Sequence, residues 1–282
     1  MIKKLFFFSM IVLFLFSLGC FIAPSVFNLI NEYNNDSKIN EYNQNVKSFS
    51  DDDINSKLIE AEKYNQVVAT DYFNKNDDYS NILNGYKDIL SFDSNGLIGY
   101  IEIPSINVKL PIYHGESEEV LKKGAAHVEQ TSFPIGGNNT HACLSAHSGY
   151  PTQKFFDDID ELSSGDLIYI YILNQKYCYK VYGRQVVEPY EVKKLRVESD
   201  KDILTLITCY PYGINSHRLL VNAERTDYTE SSNNEKGAEV IVSLGNSSDL
   251  VVICAVIASA AILAVASVIL FRRIKKRKKG DK

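Results

Sequence analysis

The sequence predicts a mainly β domain carried between two membrane-spanning helices. From Gly96 onward, short apolar or alternating runs are separated by Gly, Pro, Asn and Asp, a pattern typical of a compact all-β sandwich or barrel. Two segments, Leu5–Ala23 and Leu250–Phe271, contain 19 and 22 residues without a charge. Each of them reaches the length of about 20 residues that a helix needs to cross a bilayer.

The charged residues beside the apolar segments indicate the topology. Lys3 and Lys4 precede the first segment, and the tail 272–282 after the second contains eight Lys or Arg and one Asp. The positive-inside rule therefore predicts a two-span protein of the cell membrane, with both termini in the cytoplasm and residues 31–249 outside. A cleaved signal peptide is the alternative for residues 1–30, although the apolar run is long for one and lacks a small-x-small cleavage site.

The net charge of −5 argues against nucleic acid as a partner. Both termini are basic, so the region between the spans is strongly acidic, whereas a nucleic-acid-binding surface is basic. The basic tail directly follows an apolar helix and is explained by the topology.

The region between the spans divides into a helical segment, a β domain and a stalk. Residues 31–95 have weak helical periodicity, which predicts helices around Ile54–Val68 and Tyr79–Leu90 joined by a polar turn at Phe73–Asp78. Residues 226–249 are largely polar and predict a stalk.

The β domain, residues 96–225, contains seven runs with β character and two short helical stretches. The predicted strands are Gly99–Ile103, Val108–Tyr113, Ala142–Ala146, Leu167–Leu173, Tyr177–Val187, Ile203–Thr208 and Leu219–Ala223, and the predicted helices are Glu118–Lys123 and Lys154–Leu162.

Cysteine usage indicates a reactive thiol rather than a disulfide framework. Two of the five cysteines, Cys20 and Cys254, lie in the predicted spans. The exported region keeps an odd number at irregular spacing, Cys143, Cys178 and Cys209.

Cys209 lies in the most informative stretch, residues 205–221, which reads TLITCYPYGINSHRLLV. A β run ends at Cys209, a turn follows, and a second apolar run begins after Arg218. A hairpin return would bring Arg218 alongside Cys209, where a guanidinium lowers a thiol pKa and donates to an oxyanion. The alternative is that Cys209 is a small buried hydrophobic residue.

His147 opens a loop at the end of another predicted strand, in residues 140–151, THACLSAHSGYP. A histidine at a strand end can act as a general acid and base. The other four histidines favour structural roles, and His217 is the strongest rival. Because His217 precedes Arg218, and neighbouring strand residues point to opposite faces, the sequence favours His147.

A zinc site built from Cys143, His147, Cys209 and His217 is disfavoured. Cys143 and His147 are four residues apart in a predicted strand, about 13 Å along the backbone, a spacing that suits two ligands on a helix instead. No acidic cluster indicates calcium, and we predict no metal and no organic cofactor.

Three motifs resemble class C, pilin-polymerising sortases over about residues 64–223. They are SAHSGYP, TLITCYPYGINSHRLLV and the earlier GYIEIPSINVKLPIYHG. The family pattern TLxTCTPYGxNTHRLLV differs here at Tyr210 and Ser216, and the family's GHRGLP reads AHSGYP, with Ser148 in place of Arg. The resemblance implies an eight-stranded sortase β-barrel with a thiol, an imidazole and a guanidinium at one end.

The resemblance also implies a chemistry for these three groups. Cys209 would attack the Thr–Gly bond of an LPXTG-like sorting signal, His147 would transfer protons, and Arg218 would stabilise the oxyanion. The acceptor would be a pilin lysine. The alternatives are a wall-anchoring sortase that uses a peptidoglycan precursor amine, a plain cysteine hydrolase, or a catalytically silent membrane-tethered scaffold.

Class C sortases commonly carry an N-terminal lid with an Asp-Pro-aromatic tripeptide. Here Tyr64–Gln66 resembles the start of that segment, and Asp77-Asp78-Tyr79 stands at the position of the tripeptide, without its Pro. The resemblance implies that Asp77 pairs with Arg218 and that Tyr79 covers Cys209. A solvated polar turn is the alternative.

Overall fold

The computed structural model describes residues 2–74, 85–91 and 95–227. The chain divides into two units, and the unit Asn34–Ser231 contains every strand described below. The predicted second span, the stalk beyond residue 227 and the predicted lid residues Asp77 and Tyr79 lie outside the described residues.

Two long helices precede the strands, α1 (Ile2–Lys47) and α2 (Asp51–Asn74). Helix α1 continues well past the end of the apolar segment, through Pro24. Its stretch Ser9–Lys47 passes, by length and composition, for a membrane span, and it is one such helix among the described residues. Membrane anchors and signal sequences share this property.

Eight strands form a closed barrel in the order β1-β2-β3-β4-β7-β8-β6-β5. The pairs β2–β3 and β4–β7 are parallel, and the other neighbours are antiparallel. A short helix α3 (Glu118–Leu121) precedes the third strand. The strands are β1 Leu97–Ile103, β2 Val108–His114, β3 Ala125–His127, β4 Thr140–Ser145, β5 Leu167–Ile172, β6 Gln175–Val187, β7 Asp202–Tyr210 and β8 His217–Arg225.

The structure confirms the β-barrel, adds one strand and corrects two predicted helices. All seven predicted runs are strands, but β3 has only three residues, too few to show alternation, and was not predicted. The stretch Lys154–Leu162 is not a helix beyond a 3-10 turn at Ile159–Glu161, because Asp157 bonds two backbone amides of its own loop. In the described part of Tyr79–Leu90, the backbone forms a 3-10 turn at Tyr86–Asp88.

Strand β7 is buried on both faces. Leu204 and Leu206 pack into the main core, whereas Ile207 packs on the other face with a second group of apolar side chains. We call this second group the outer cluster; it consists of Val128, Cys143, Val187, Ile207 and Leu220.

The segment that leads into the barrel is fixed by a buried histidine. Tyr86 Oη lies 2.8 Å from His127 Nδ1 and accepts from Gly115 N at 3.1 Å. His127 Nε2 lies 2.8 Å from the carbonyl of Ser132. These partners suit a neutral ring that donates from Nε2 and accepts at Nδ1, and burial lowers the pKa of His127 to about 3.

The buried histidines predict a loss of stability in mild acid. The unfolded chain binds a proton at His127 near pH 6.5 whereas the folded chain does not, so the free energy of unfolding falls as the pH falls below 6.5. From about pH 7.5 to about pH 5.5 this single group removes about 1.4 kcal/mol. Burial also lowers the pKa of His114 and His141, which act in the same direction.

Urea unfolding of the detergent-solubilised chain at the two pH values measures the effect. The variant His127→Gln should be less stable at neutral pH but should lose less stability on acidification. An equal loss in both proteins would contradict the assignment to His127.

Candidate active site

A hairpin places Cys209 and Arg218 opposite each other, as the sequence predicts. Cys209 lies near the end of β7, Arg218 lies near the start of β8, and the two are register partners. The turn between them is closed by the amides of Ile214 and Asn215, which both donate to the carbonyl of Pro211 at 3.0 Å. Asn215 has φ 62°, in the left-handed region that Asn tolerates.

The direction of the peptide groups on β7 shows which kind of register pair Cys209 and Arg218 form. The amide of Ala146 donates to the carbonyl of Ile207 at 3.1 Å, so the peptide groups of Ile207 and of Cys209, two residues on, face β4. Cys209 and Arg218 are therefore a non-hydrogen-bonded pair of the antiparallel ladder, with Cα atoms about 4.5 Å apart and side chains on one face. The side chain of Arg218 is placed to reach a group bound at the thiol.

Arg218 is held by the turn itself. Its Nη1 donates to the carbonyl of His217 at 2.9 Å and to that of Asn215 at 3.3 Å. Both acceptors are neutral backbone groups. The positive charge of Arg218 is therefore not neutralised by them.

His147 joins the same row from the other side of β7. Strand β4 pairs in parallel with β7, with Ser145 opposite Ile207, and extending this register by two residues brings His147 opposite Cys209. The hydroxyl of Thr208 donates to the carbonyl of Ala146 at 2.8 Å. The structure thus brings the three predicted residues to one end of the barrel, with His147 two residues past the end of β4, Cys209 on β7 and Arg218 on β8.

The imidazole of His147 packs between two aromatic rings. The Tyr150 ring stacks on it with centroids 5.3 Å apart, and the Phe155 ring meets it at an angle of 63° and 6.2 Å. Within the described chain, its Nε2 is buried and has no hydrogen-bond partner. This nitrogen is available to exchange a proton with a bound group.

The loop after His147 is tied by Asp157, a residue that sequence reasoning missed. The Asp157 carboxylate accepts from the amide of Gly149 at 2.9 Å and from that of Phe155 at 2.8 Å. Gly149 has φ +74°, and a Cβ there would lie 3.3 Å from the Tyr212 ring. The Gly two residues after the histidine and the acid eight further on were the available signals.

The cysteines differ in exposure and in acidity. Cys209 is partly exposed, whereas Cys143 and Cys178 are buried. Burial raises the pKa of the Cys143 thiol far above its ordinary value and also raises that of Cys178. The described cysteines are all free thiols, and Cys209 is the accessible one in the β domain.

The other histidines are engaged elsewhere. His141 contacts the carbonyl of Arg196 at 2.8 Å and the hydroxyl of Thr205 at 2.7 Å. His217 pairs with Tyr210, one position from the row, and its Nε2 lies 3.4 Å from a Glu188 oxygen.

The start of the predicted lid segment lies inside α2. Tyr64 is buried and packs on Phe133, with ring centroids 4.9 Å apart, and Asn65 exchanges hydrogen bonds with the Phe133 backbone at 2.7 and 3.1 Å. These residues fix α2 to the β domain, and whether Asp77 and Tyr79 act as a lid stays a prediction.

A partly exposed thiol in one row with an imidazole and a guanidinium has the composition of a cysteine acyl-transfer site on a closed barrel. Comparison with known proteins identifies the family. Residues 101–226 match the model of the sortase domain, and the chain belongs to the sortase family.

Solved structures similar to this chain include sortases C. Sortase C of Clostridium perfringens SM101 is 44% identical, with a TM-score of 0.58, over 68% of this chain and 99% of that chain. Sortase C1 of Streptococcus agalactiae is 38% identical, with a TM-score of 0.64, over 68% of this chain and 100% of that one.

The curated relatives match over a smaller share of their length. Sortase A of Bacillus anthracis is 37% identical over 133 residues, which are 46% of this chain and 60% of that protein. Sortase D of Bacillus subtilis is 29% identical over 115 residues, 41% of this chain and 55% of the relative. The chain therefore spans somewhat more than half the length of these two relatives.

The difference in exposure between the cysteines predicts that Cys209 is alkylated selectively. In the folded, detergent-solubilised chain, a maleimide should modify Cys209 at least about tenfold faster than Cys143 or Cys178, because a thiol reacts as the accessible thiolate. Peptide mapping by mass after timed quenching measures each rate. Urea should equalise the rates and Cys209→Ser should remove the fast phase; a fast Cys143 in the folded chain would contradict the assignment.

Proposed function

We propose that this chain is a cysteine transpeptidase that joins pilin subunits. It cleaves an LPXTG-like sorting signal between Thr and Gly and transfers the acyl group to a lysine amine of a pilin. The observation that carries the proposal is the row formed by His147, just past the end of β4, with Cys209 and Arg218 on β7 and β8. The likeness to sortases C supports it.

The first half-reaction forms a thioester. His147 takes the proton from the Cys209 thiol, and the thiolate attacks the carbonyl carbon of the signal's Thr. The oxyanion that forms is stabilised by the guanidinium of Arg218. When the C–N bond breaks, His147 returns the proton to the departing Gly amine, so the acyl group is left on sulfur.

The second half-reaction reverses these roles. His147 removes a proton from the incoming lysine amine, which attacks the thioester carbonyl next to Arg218. The C–S bond then breaks, an isopeptide bond remains, and the thiolate of Cys209 regains its proton from His147. One amide bond is exchanged for another of similar free energy, so no cofactor is consumed.

The outer cluster forms a packed apolar base next to the thiol. Ile207 lies two residues before Cys209 on the same face of β7, and Leu220 and Val187 flank it on β8 and β6. These side chains are buried, so they support the site and are not themselves a contact surface for the signal. A structure of sortase C of Clostridium perfringens contains the C-terminal cell wall sorting motif; that chain is 46% identical to this one.

The acceptor and the location belong to the same proposal. The similar structures are sortases C, which favours a pilin lysine over the peptidoglycan precursor amine of a wall-anchoring sortase. The apolar stretch of α1 would anchor the enzyme, with the barrel on the extracellular side of the membrane.

A peptide assay tests the reaction. A peptide that contains the sorting signal is incubated with the full-length chain in detergent, with and without a lysine-containing peptide. The products are identified by mass spectrometry. The amine should convert the product from the free acid to the branched peptide. Only the free acid in both reactions would reject transpeptidation and favour the hydrolase.

Substitutions test the three roles separately. Cys209→Ala should abolish the thioester, while His147→Ala and Arg218→Ala should lower kcat/KM at least about a hundredfold in folded protein. His217→Ala is the matched control for a neighbouring histidine and should retain activity. If His217→Ala lost as much activity as His147→Ala, the choice of base would be wrong.

A lid at Asp77 and Tyr79 is part of the proposal. The S. agalactiae enzyme has been solved as a lid mutant, which makes a lid relevant to this family of structures. Asp77→Ala should raise the rate of Cys209 modification, because the ion pair with Arg218 would be lost, while Asp78→Ala should not. Unchanged rates in both variants would reject the plug.

A further inference from the structure

We propose that Ser148 is a positioning residue that extends the β4–β7 ladder by its side chain and thereby holds the loop of His147 in place against Cys209. The proposal rests on the transpeptidase function proposed above. Its basis is a hydrogen bond of 3.1 Å from the Ser148 hydroxyl to the backbone carbonyl of Cys209.

The register between β4 and β7 shows that this hydrogen bond continues the series of bonds between the two strands. The amide of Thr140 donates to the carbonyl of Lys201 and the amide of Ala146 donates to that of Ile207, both at 3.1 Å. In each case the acceptor lies at the same sequence distance from the donor. The next step in this series is from residue 148 to the carbonyl of Cys209.

At this step the hydroxyl of Ser148 donates in place of a backbone amide. Strand β4 ends at Ser145, and the chain turns into the loop that carries His147. The Ser148 side chain, only 8% exposed, still reaches the Cys209 carbonyl. The series of bonds along the edge of β7 is thus carried one step beyond the end of β4.

The bond from Ser148 ties the loop that carries His147 to the backbone of Cys209. The Cys209 carbonyl faces β4, away from the β8 ladder, and the hydroxyl that it accepts from belongs to the residue directly after His147. The position of the imidazole relative to the thiol is thereby restrained. Because reacting atoms must be placed within fractions of an ångström, such a restraint acts on the rate of attack.

A second bond acts in the opposite direction at the same place. The hydroxyl of Thr208 donates to the carbonyl of Ala146 at 2.8 Å. The residues on either side of His147 are thus bonded to the last two residues of the run ending at the nucleophile. Six register pairs, from Thr140–Asp202 to Ser145–Ile207, already hold β4 on β7. The Ser148 bond therefore acts on the residues beyond the end of this ladder.

Variants that differ in one hydroxyl test the proposal. Ser148→Ala should lower kcat for peptide transfer roughly tenfold with KM little changed, since the substrate contacts are kept. Ser148→Thr keeps the hydroxyl and should retain most of the rate, whereas Ser148→Val, which has the shape of Thr without the hydroxyl, should not. This comparison holds even if Ser148→Ala folds poorly. Equal kcat in the Thr and Val variants would overturn the proposal.

Ser132→Ala is the control for general loss of a buried hydroxyl. Ser132 is fully buried at the other end of β4, and its hydroxyl accepts from the amide of His141 at 3.1 Å. This variant should lose a similar amount of stability and keep the wild-type kcat. If it lost kcat as much as Ser148→Ala, the effect of Ser148 would be structural only.

The rate of Cys209 alkylation against pH separates the two proposals. Ser148→Ala should change this profile while Ser132→Ala should not. If wild-type protein transferred no peptide but its Cys209 profile still depended on Ser148, the transpeptidase function would fail and the positioning role would stand. If the wild type transferred peptide and neither kcat nor the profile responded to Ser148, the positioning role alone would fail.

Discussion

The parallel pairing of β4 with β7 is the contact on which the candidate site depends. Its register sets Ser145 opposite Ile207, so that both strands end at the same end of the barrel and the following residues, His147 and Cys209, meet there. Strand β8 returns antiparallel and adds Arg218 to the row. Two side chains of one hairpin and one from a distant part of the chain are therefore aligned by backbone hydrogen bonds, which are stiffer than contacts between long side chains.

The strand that carries Cys209 is buried along most of its length. Leu204 and Leu206 fill the main core, and Ile207 packs in the outer cluster. Opening β7 would expose apolar surface on both faces, so local unfolding there costs nearly as much as global unfolding. The partly exposed Cys209 follows directly on this buried run, which joins a rigid base to an accessible sulfur.

The sequence predicted the features that depend on neighbouring residues and missed those that depend on pairing between distant strands. The hairpin from Cys209 to Arg218 could be read from one stretch because turn residues and β runs adjoin there, and the alternating run of β5 was equally plain. The convergence of His147 on Cys209 depends on parallel pairing between distant strands, which spacing does not reveal; the family motifs supplied it. Strand β3 has no periodicity to detect, and the bond from Ser148 arises only from the register.

The closure of the barrel limits how a partner can be recognised. Every strand in the closed order has a neighbour on each side, so an extended peptide cannot be bound as an added strand, with the row of main-chain hydrogen bonds that such addition provides. A peptide must instead be held by side chains and loops at the barrel wall, such as the loop after His147. Recognition of this kind depends on a few side chains of a short motif and much less on the backbone of the bound peptide.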